Sequence, residues 1–224
     1  MPRKKININL PKQVSIREKV YSTVRNDVLS GRIAPGERIV EARVAREINT
    51  SRTPVREALH MLEREGLLEA VPRVGYRVKT VDQDDMEELC EIRIINETLS
   101  AQWAIDRITP KELQTLEENL EEAEAEVRNG NPKAFVDYDA TFHEILSRAS
   151  GSKRLFELCQ FLCRHMLRYR IESVHSEETA LRAISGHKVI LESIKSRDKD
   201  AVASAIRNHL EWVKTDIRDA VFDN

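Results

Sequence analysis

Two predicted helices joined by a very short turn are the feature of this sequence that most restricts its fold. Apolar residues at helical spacing predict a short helix over about 41–48, and the dipeptide at 49–50 follows it at once. The next helix is expected to begin where Thr53 can cap its N-terminus and Pro54 can fill its first position, and Gly66 ends it. A helix pair connected this tightly is typical of a helix-turn-helix.

The segments on either side extend this pair to a winged helix-turn-helix. Upstream, a capping box at 15–18 begins a helix that is predicted over about 16–30. Downstream, two β-prone runs at 67–71 and 76–79 flank a turn, which indicates a hairpin or wing with Arg73 at its tip. The predicted order is therefore helix, helix, helix, strand, wing, strand.

The basic character of this part of the chain indicates DNA as its partner. Residues 1–80 hold 17 Lys and Arg against 9 Asp and Glu, which gives +8, so the rest of the chain carries −10. Arg52 and Arg56 lie four residues apart at the exposed start of the second helix of the pair, where helix-turn-helix proteins meet the major groove. We predict a DNA-binding domain over 14–80, preceded by a tail at 1–13.

The rest of the chain is expected to form an all-α bundle. Helix starts recur in it, including a capping box with proline at 109–112 and a second cap-and-proline start at 131–132. Polar breaks divide residues 84–224 into about six or seven antiparallel helices. The fold class is thus mainly α, a winged helix-turn-helix followed by an antiparallel helical bundle.

Because no run of about 18 apolar residues occurs, we expect a cytoplasmic protein without a membrane partner.

Side chains that ligate metals are predicted to point into the core of this bundle. Asp139 and His143 lie four residues apart on an apolar face, where a buried carboxylate needs a partner or a metal. His187 and His209 lie on the apolar faces of two later helices. This set suits a borderline divalent cation, Zn²⁺ first, and accommodates nickel, manganese or iron. Alternatively, each histidine is a hydrogen-bonded core residue, and His165 on another inward face is a competing ligand.

Ordered motifs in the N-terminal part resemble the GntR family of bacterial regulators. The matching stretches are Pro35-Gly36-Glu37-Arg38, SRTPVREAL at 51–59, LEREGLL at 62–68 and Arg73-x-Gly75-Tyr76. The resemblance implies that the DNA contacts are made by Ser51, Arg52, Thr53, Arg56, Arg73 and Gly75. One departure is Ala42, which stands where members of the FadR branch often carry arginine. Arg43 or Arg46 is expected to supply that charge instead.

The histidine spacing resembles the FCD domain, the helical ligand-binding domain of the FadR branch. Its usual set, Asp-x-x-x-His on one helix and single histidines on two later helices, falls on Asp139, His143, His187 and His209. The resemblance covers about residues 84–218 and implies a metal-assisted sensor of small carboxylic acids. Arg93 suits the role of effector-binding arginine, because guanidinium binds carboxylate through a planar fork. The alternative is that Arg93 only pairs with Glu97 along the helix.

These observations predict a homodimeric transcriptional repressor or activator. Two winged domains related by a twofold axis would bind the half-sites of a pseudopalindromic operator, and a bound organic acid would change the operator affinity. The second hypothesis is an enzyme in which the metal activates water, but the sequence has neither a nucleophile elbow nor a glycine-rich phosphate loop. The third is an interaction module in which the helices only dimerise and the histidines are structural.

Overall fold

The structure, a computed structural model, describes residues 14–174 and 176–223 of the chain. The chain divides into two compact units, the first ending at Lys79 and the second beginning at Thr80. The tail predicted at 1–13 lies outside the described residues, as does His175, which its sequence position assigns to a surface loop.

Within the described residues, the N-terminal unit contains three helices and a three-stranded sheet. Its elements are α1 (Ile16–Leu29), β1 (Arg38–Ile39), α2 (Glu41–Glu47), α3 (Arg52–Arg64), β2 (Leu68–Val71) and β3 (Gly75–Val78). The central strand β3 pairs antiparallel with both β1 and β2. The predicted winged helix-turn-helix is confirmed, with β1 as an addition that is too short to leave an alternating pattern in the sequence.

The start of α3 lies earlier than predicted. Ser51 occupies the N-cap position, and its side chain makes no capping hydrogen bond. Thr53 therefore lies within the first turn instead of capping it, and Pro54 occupies the third helical position instead of the first. The reason is that the amide groups of a first turn have no partner within the helix, so proline is tolerated at several positions there.

The core of the N-terminal unit is built from one face of α1 and one face of α3. The buried residues of α1 follow one another at four-residue spacing, Val20, Val24 and Val28. They pack with the buried stripe of α3, which consists of Val55, Ala58, Leu59 and Leu62. Because these residues occupy the inner face of α3, Arg52 and Arg56 remain exposed at its N-terminal end.

The second unit consists, in the part that the structure describes, of six α-helices joined by short turns. They are α4 (Gln83–Ala104), α5 (Pro110–Arg128), α6 (Phe135–Ala149), α7 (Lys153–Ser173), α8 (Glu177–Lys195) and α9 (Lys199–Val221). The capping box predicted at 109–112 is present, formed by Thr109 and Glu112 at the start of α5. No helix among the described residues is both long enough and apolar enough to pass through a bilayer.

The start of α6 lies later than predicted. Asn131 does not cap it, because its side chain donates a hydrogen bond to Glu126. A 3-10 turn, Pro132–Ala134, comes first, and the α-helix begins at Phe135. Turns of this kind are frequent at helix N-termini. The later start still leaves Asp139 on α6, one turn after Phe135.

The packing of the second unit brings α6, α8 and α9 together. α4 packs against α6, α7 and α9, while α8 packs against α5 and α9. Apolar residues of α6, α8 and α9 share one core cluster, as Phe142, Ile190 and Ile206 show. Polar side chains that lie near these positions on the same helix faces are therefore brought close to one another.

Candidate metal centre and nucleic-acid interface

Four possible metal ligands from three helices meet inside the second unit. Asp139 and His143 come from α6, His187 from α8 and His209 from α9, and one ligand atom of each lies within 4.8 Å of the others. Nε2 of His143 is 3.2 Å from Nε2 of His187 and 3.7 Å from Oδ1 of Asp139. All four residues are buried, the most exposed being Asp139 at 7%. The structure thus brings together the four residues that the sequence singled out as metal ligands.

Burial favours, in two of these histidines, the neutral form that a metal requires. Burial, followed by the neighbouring imidazoles, lowers the pKa of both His187 and His209 well below the usual 6.5. A neutral imidazole offers a ring-nitrogen lone pair to a cation. Nε2 of His209 is buried and has no hydrogen-bond partner among the described residues. Because an orphaned buried acceptor is unfavourable and a cation would satisfy it, the residues present fit a divalent metal.

Arg170, which sequence reasoning missed, pairs with the aspartate of this centre. Its Nη2 donates a hydrogen bond to Oδ1 of Asp139 over 3.0 Å. Burial alone would raise the pKa of Asp139, but Arg170 and His143 outweigh it, and the pKa is lowered. Arg170 lies four residues after Met166 and three before Ser173 on the buried face of α7. The sequence signal that could have identified Arg170 is the presence of an arginine at an inward helical position.

Arg93 pairs with Glu97 inside the same centre, as their spacing on α4 predicts. Nε of Arg93 donates to Oε1 of Glu97 over 2.7 Å, and both side chains are buried. The other oxygen of Glu97, Oε2, lies 2.6 Å from Nδ1 of His143. Burial would raise the pKa of Glu97, but Arg93 and His143 outweigh it and lower the pKa to about 2. Glu97 is therefore an ionised carboxylate between a guanidinium and an imidazole.

Gly186 of α8 leaves the space that the imidazole of His209 occupies. A Cβ atom at position 186 would lie 2.6 Å from Nδ1 and 3.3 Å from Cγ of His209. Because packed atoms do not approach so closely, a side chain at this position would displace the imidazole. Sequence reasoning did not single out Gly186, since a glycine within a helix carries no local sign of what it faces on another helix.

His165, the competing ligand, is not part of the four-residue group. It lies on α7 and is only partly buried. Its ring packs against that of Phe161, with the ring centroids 4.2 Å apart, and Phe161 is itself exposed. His165 therefore packs beside Phe161 and is not grouped with the four candidate ligands.

The arginines predicted to contact DNA lie on the surface of the N-terminal unit. Arg52 and Arg73 line one surface concavity of about 340 Å³, beside the start of α3 and the β2–β3 turn. Ser51 and Thr53 are exposed next to Arg52. The N-terminus of α3 also presents amide groups without an intrahelical partner, and the helix dipole favours anions there. This combination suits the phosphates of a nucleic acid.

Two further arginines of this surface pair with acidic residues of α2. Arg56 forms a double contact with Glu41, from Nε to Oε1 and from Nη2 to Oε2, both at 3.0 Å. Arg43 donates from Nε to Oε1 of Glu47 over 2.9 Å. Exposed ion pairs contribute little to stability, so phosphate groups can replace these carboxylates at little cost.

The wing turn requires two unusual backbone conformations. Arg73 has a φ of 64° and Gly75 a φ of 124°. A Cβ atom at Gly75 would lie 2.8 Å from the backbone oxygen of Ile39 in β1. Gly75 therefore has a structural role where β1 and β3 approach each other, whatever contact it makes with DNA.

A winged helix-turn-helix followed by a helical domain with a buried His/Asp cluster defines a class of transcriptional regulator. Residues 16–78 match the family described as bacterial regulatory proteins, gntR family, and residues 88–211 match the FCD domain. The chain belongs to the GntR family and carries the FCD domain, an architecture that fits the FadR branch. Members of this family are DNA-binding regulators and not enzymes, which rules out the enzyme hypothesis.

Individual relatives agree with this assignment. The chain is 33% identical to YdhC of Bacillus subtilis (strain 168), an uncharacterized HTH-type transcriptional regulator, over 84% of this chain and 85% of that protein. It is 26% identical to the HTH-type transcriptional repressor RspR of Escherichia coli (strain K12), over 93% and 92% of the two chains. The solved structure of E. coli McbR/YncC shares the fold, with a TM-score of 0.76 and 22% identity over 92% of this chain and 99% of that chain.

Proposed function

We propose that this regulator changes its operator affinity when a small organic acid binds at a divalent metal ion held by Asp139, His143, His187 and His209. The observation that carries the proposal is the buried convergence of one carboxylate and three imidazoles. This donor set favours Zn²⁺ and also accommodates nickel, manganese or iron. A metal bound there would supply a Lewis-acidic position for an oxygen ligand.

The buried charges around the centre favour an anionic effector. Arg93 balances Glu97 and Arg170 balances Asp139, so these four side chains are neutral as a set. A divalent cation would add two positive charges to a site with little access to water, where uncompensated charge is unfavourable. A carboxylate would offset part of that charge, and this supports an organic acid as the effector.

We infer that Arg93 is the protein group that binds the effector carboxylate. Its Nε is engaged with Glu97, and the opposite edge of the guanidinium is formed by the two terminal nitrogens. Such an edge binds a carboxylate through two parallel hydrogen bonds. The bond to Glu97 orients the guanidinium before the acid arrives, which reduces the entropy lost on binding.

We assign DNA contact to the start of α3 and to the wing. The proposed contact residues are Arg43, Ser51, Arg52, Thr53, Arg56, Arg73 and Gly75. In this arrangement α3 enters the major groove, and its first turn lies against base edges and phosphates. The exposure of Arg52 and Arg56, and the concavity that Arg52 shares with Arg73, support this assignment.

A homodimer bound to double-stranded DNA in the cytoplasm is the proposed working form. A twofold pair of winged domains matches the symmetry of a pseudopalindromic operator. The effector can change operator affinity only if the DNA-competent and DNA-incompetent states bind it differently. Acid binding would therefore alter the spacing or the ordering of the two DNA-binding domains.

The metal content of protein purified without a histidine tag tests this proposal. We expect stoichiometric divalent metal in the wild type, because neutral imidazoles and Asp139 form its ligands. Asp139→Asn should lose the metal, whereas Asp137→Asn, which removes an exposed carboxylate from the same helix, should retain it. Elemental analysis after dialysis against added zinc provides the measurement. A wild-type protein that takes up no metal would favour the interaction module with structural histidines.

A further inference from the structure

Glu97 lies between His143, a candidate metal ligand, and Arg93, the arginine proposed to bind the effector. Its Oε1 accepts a hydrogen bond from Arg93 over 2.7 Å, and its Oε2 lies 2.6 Å from Nδ1 of His143. Glu97 is only 4% exposed, so water does not compete for either contact. One carboxylate thus contacts both a candidate metal ligand and the candidate effector arginine.

The contact with Glu97 determines which ring nitrogen of His143 can bind a metal. The approach of these two atoms departs from hydrogen-bond geometry, but two lone pairs 2.6 Å apart would repel each other, so in the neutral imidazole the proton lies on Nδ1. The lone pair then lies on Nε2, which is 3.2 Å from Nε2 of His187. Nε2 of His143 therefore faces the other candidate ligands in the form that coordinates a cation.

We propose that Glu97 is a positioning residue that keeps His143 in its metal-binding tautomer and orients Arg93 for the effector. The proposal rests on the metal-dependent function proposed above. A carboxylate that accepts the second N–H of a ligand histidine fixes the ring and makes it a stronger ligand, and loss of such a group typically lowers metal affinity about 10- to 100-fold. Because the same carboxylate holds Arg93, Glu97 links metal binding to effector binding.

Glutamine at position 97 distinguishes this role from that of a simple ion pair. Its amide has one accepting oxygen and one donating NH₂ group. With the oxygen toward Arg93, the NH₂ group donates to Nδ1 of His143, and the imidazole proton moves to Nε2 and blocks the ligand lone pair. With the oxygen toward His143, the NH₂ group opposes the Nε–H of Arg93, and two buried donors lack an acceptor. The first orientation leaves no buried donor without an acceptor, so we expect it to predominate and the variant to lose the metal-binding tautomer of His143.

The experiment compares Glu97→Gln with Glu88→Gln, which removes the same charge from an exposed position of α4. Competition with a chromophoric chelator measures the affinity of each full-length protein for zinc. Imidazole ¹⁵N NMR of the metal-free proteins measures the tautomer of His143. We expect Glu97→Gln to lower zinc affinity about 10- to 100-fold and to populate the Nε2–H tautomer of His143. Glu88→Gln should change neither quantity.

Equal zinc affinities of Glu97→Gln and wild type, together with an unchanged His143 tautomer, would overturn the proposal. A wild type that binds no zinc contradicts the metal site itself, and the tautomer measurement then still tests the role of Glu97. If Glu97→Gln does not fold, Glu97→Asp replaces it in both measurements. The shorter side chain keeps the charge but draws the carboxylate back toward α4 and away from His143 on α6, so the same losses are expected, and wild-type values for it would overturn the proposal.

Discussion

The imidazole of His209 lies so close to α8 that its position depends on a missing side chain. Alanine in place of a helical glycine usually stabilises a protein by up to about 1 kcal/mol, because the unfolded chain loses freedom. At Gly186 the added methyl group would approach Nδ1 of His209 to 2.6 Å, so a steric effect opposes the helix propensity. The sign of the stability change therefore reports whether this contact exists.

We expect Gly186→Ala to destabilise the protein by about 1–3 kcal/mol, as overpacked cores do, and to weaken metal binding because His209 moves. Denaturant unfolding and chelator competition measure the two effects. Ser185→Ala, at the exposed neighbouring position of α8, should change neither. A Gly186→Ala variant that is more stable and binds metal as well as the wild type would show that His209 does not need this space.

At the scale of helices and strands, elements with a local signal in the sequence were predicted closely. The capping boxes at the starts of α1 and α5 are both present. The start of α3 was misplaced, because Thr53 and Ser51 are both plausible caps and proline is tolerated throughout a first turn. The two-residue strand β1 was missed, since its existence depends on pairing with β3, which is distant in the sequence.

At the candidate site, too, a local sequence signal predicts some residues, whereas others depend on how distant helices pack. Helical periodicity places Asp139, His143, His187 and His209 on inward faces, and the structure brings them together. Arg170 and Gly186 reach the centre only through the packing of α7 on α6 and of α8 on α9. Periodicity shows that a residue points inward but not which helix it meets, so neither of these residues was identified.

The two ends of α3 should differ in their importance for DNA binding. We expect Arg52→Ala to weaken operator binding by about 1–3 kcal/mol and to relax base preference, because the proposed docking of α3 puts this side chain in the major groove. Arg64→Ala removes the same charge from the last turn of the helix and should have little effect. Fluorescence anisotropy titrations at several salt concentrations measure both. Equal operator affinities of Arg52→Ala and wild type would contradict the assignment of DNA contact to the start of α3.

For the molecule as a whole, the charge division along the chain is reflected in two chemically different units. The basic first 80 residues suit a polyanion, whereas the remaining, acidic residues contain the buried centre.

The two buried histidines of this centre should make the stability of the protein depend on pH. Burial favours the neutral form of His187 and His209 in the folded protein. In the unfolded chain both imidazoles would be protonated in acid.

Acid is therefore expected to destabilise the metal-free protein below about pH 6.5. In that range the unfolded chain binds more protons than the folded one, so the free energy of unfolding decreases by up to about 1.4 kcal/mol per pH unit for each of these two histidines. Urea denaturation in the presence of a chelator, at several pH values from neutral to about pH 5, measures the slope. A stability independent of pH in this range would contradict the buried neutral imidazoles.

Operator binding with and without metal and acid tests the central claim most directly. A duplex selected from a random-sequence pool is titrated with zinc-loaded protein, with metal-stripped protein, and with zinc-loaded protein plus each of a panel of small carboxylic acids. We predict that one or more acids change the operator affinity of the zinc-loaded protein about 5- to 150-fold and leave that of the metal-stripped protein unchanged. A single operator affinity, unaffected by metal and by every acid, would contradict the account.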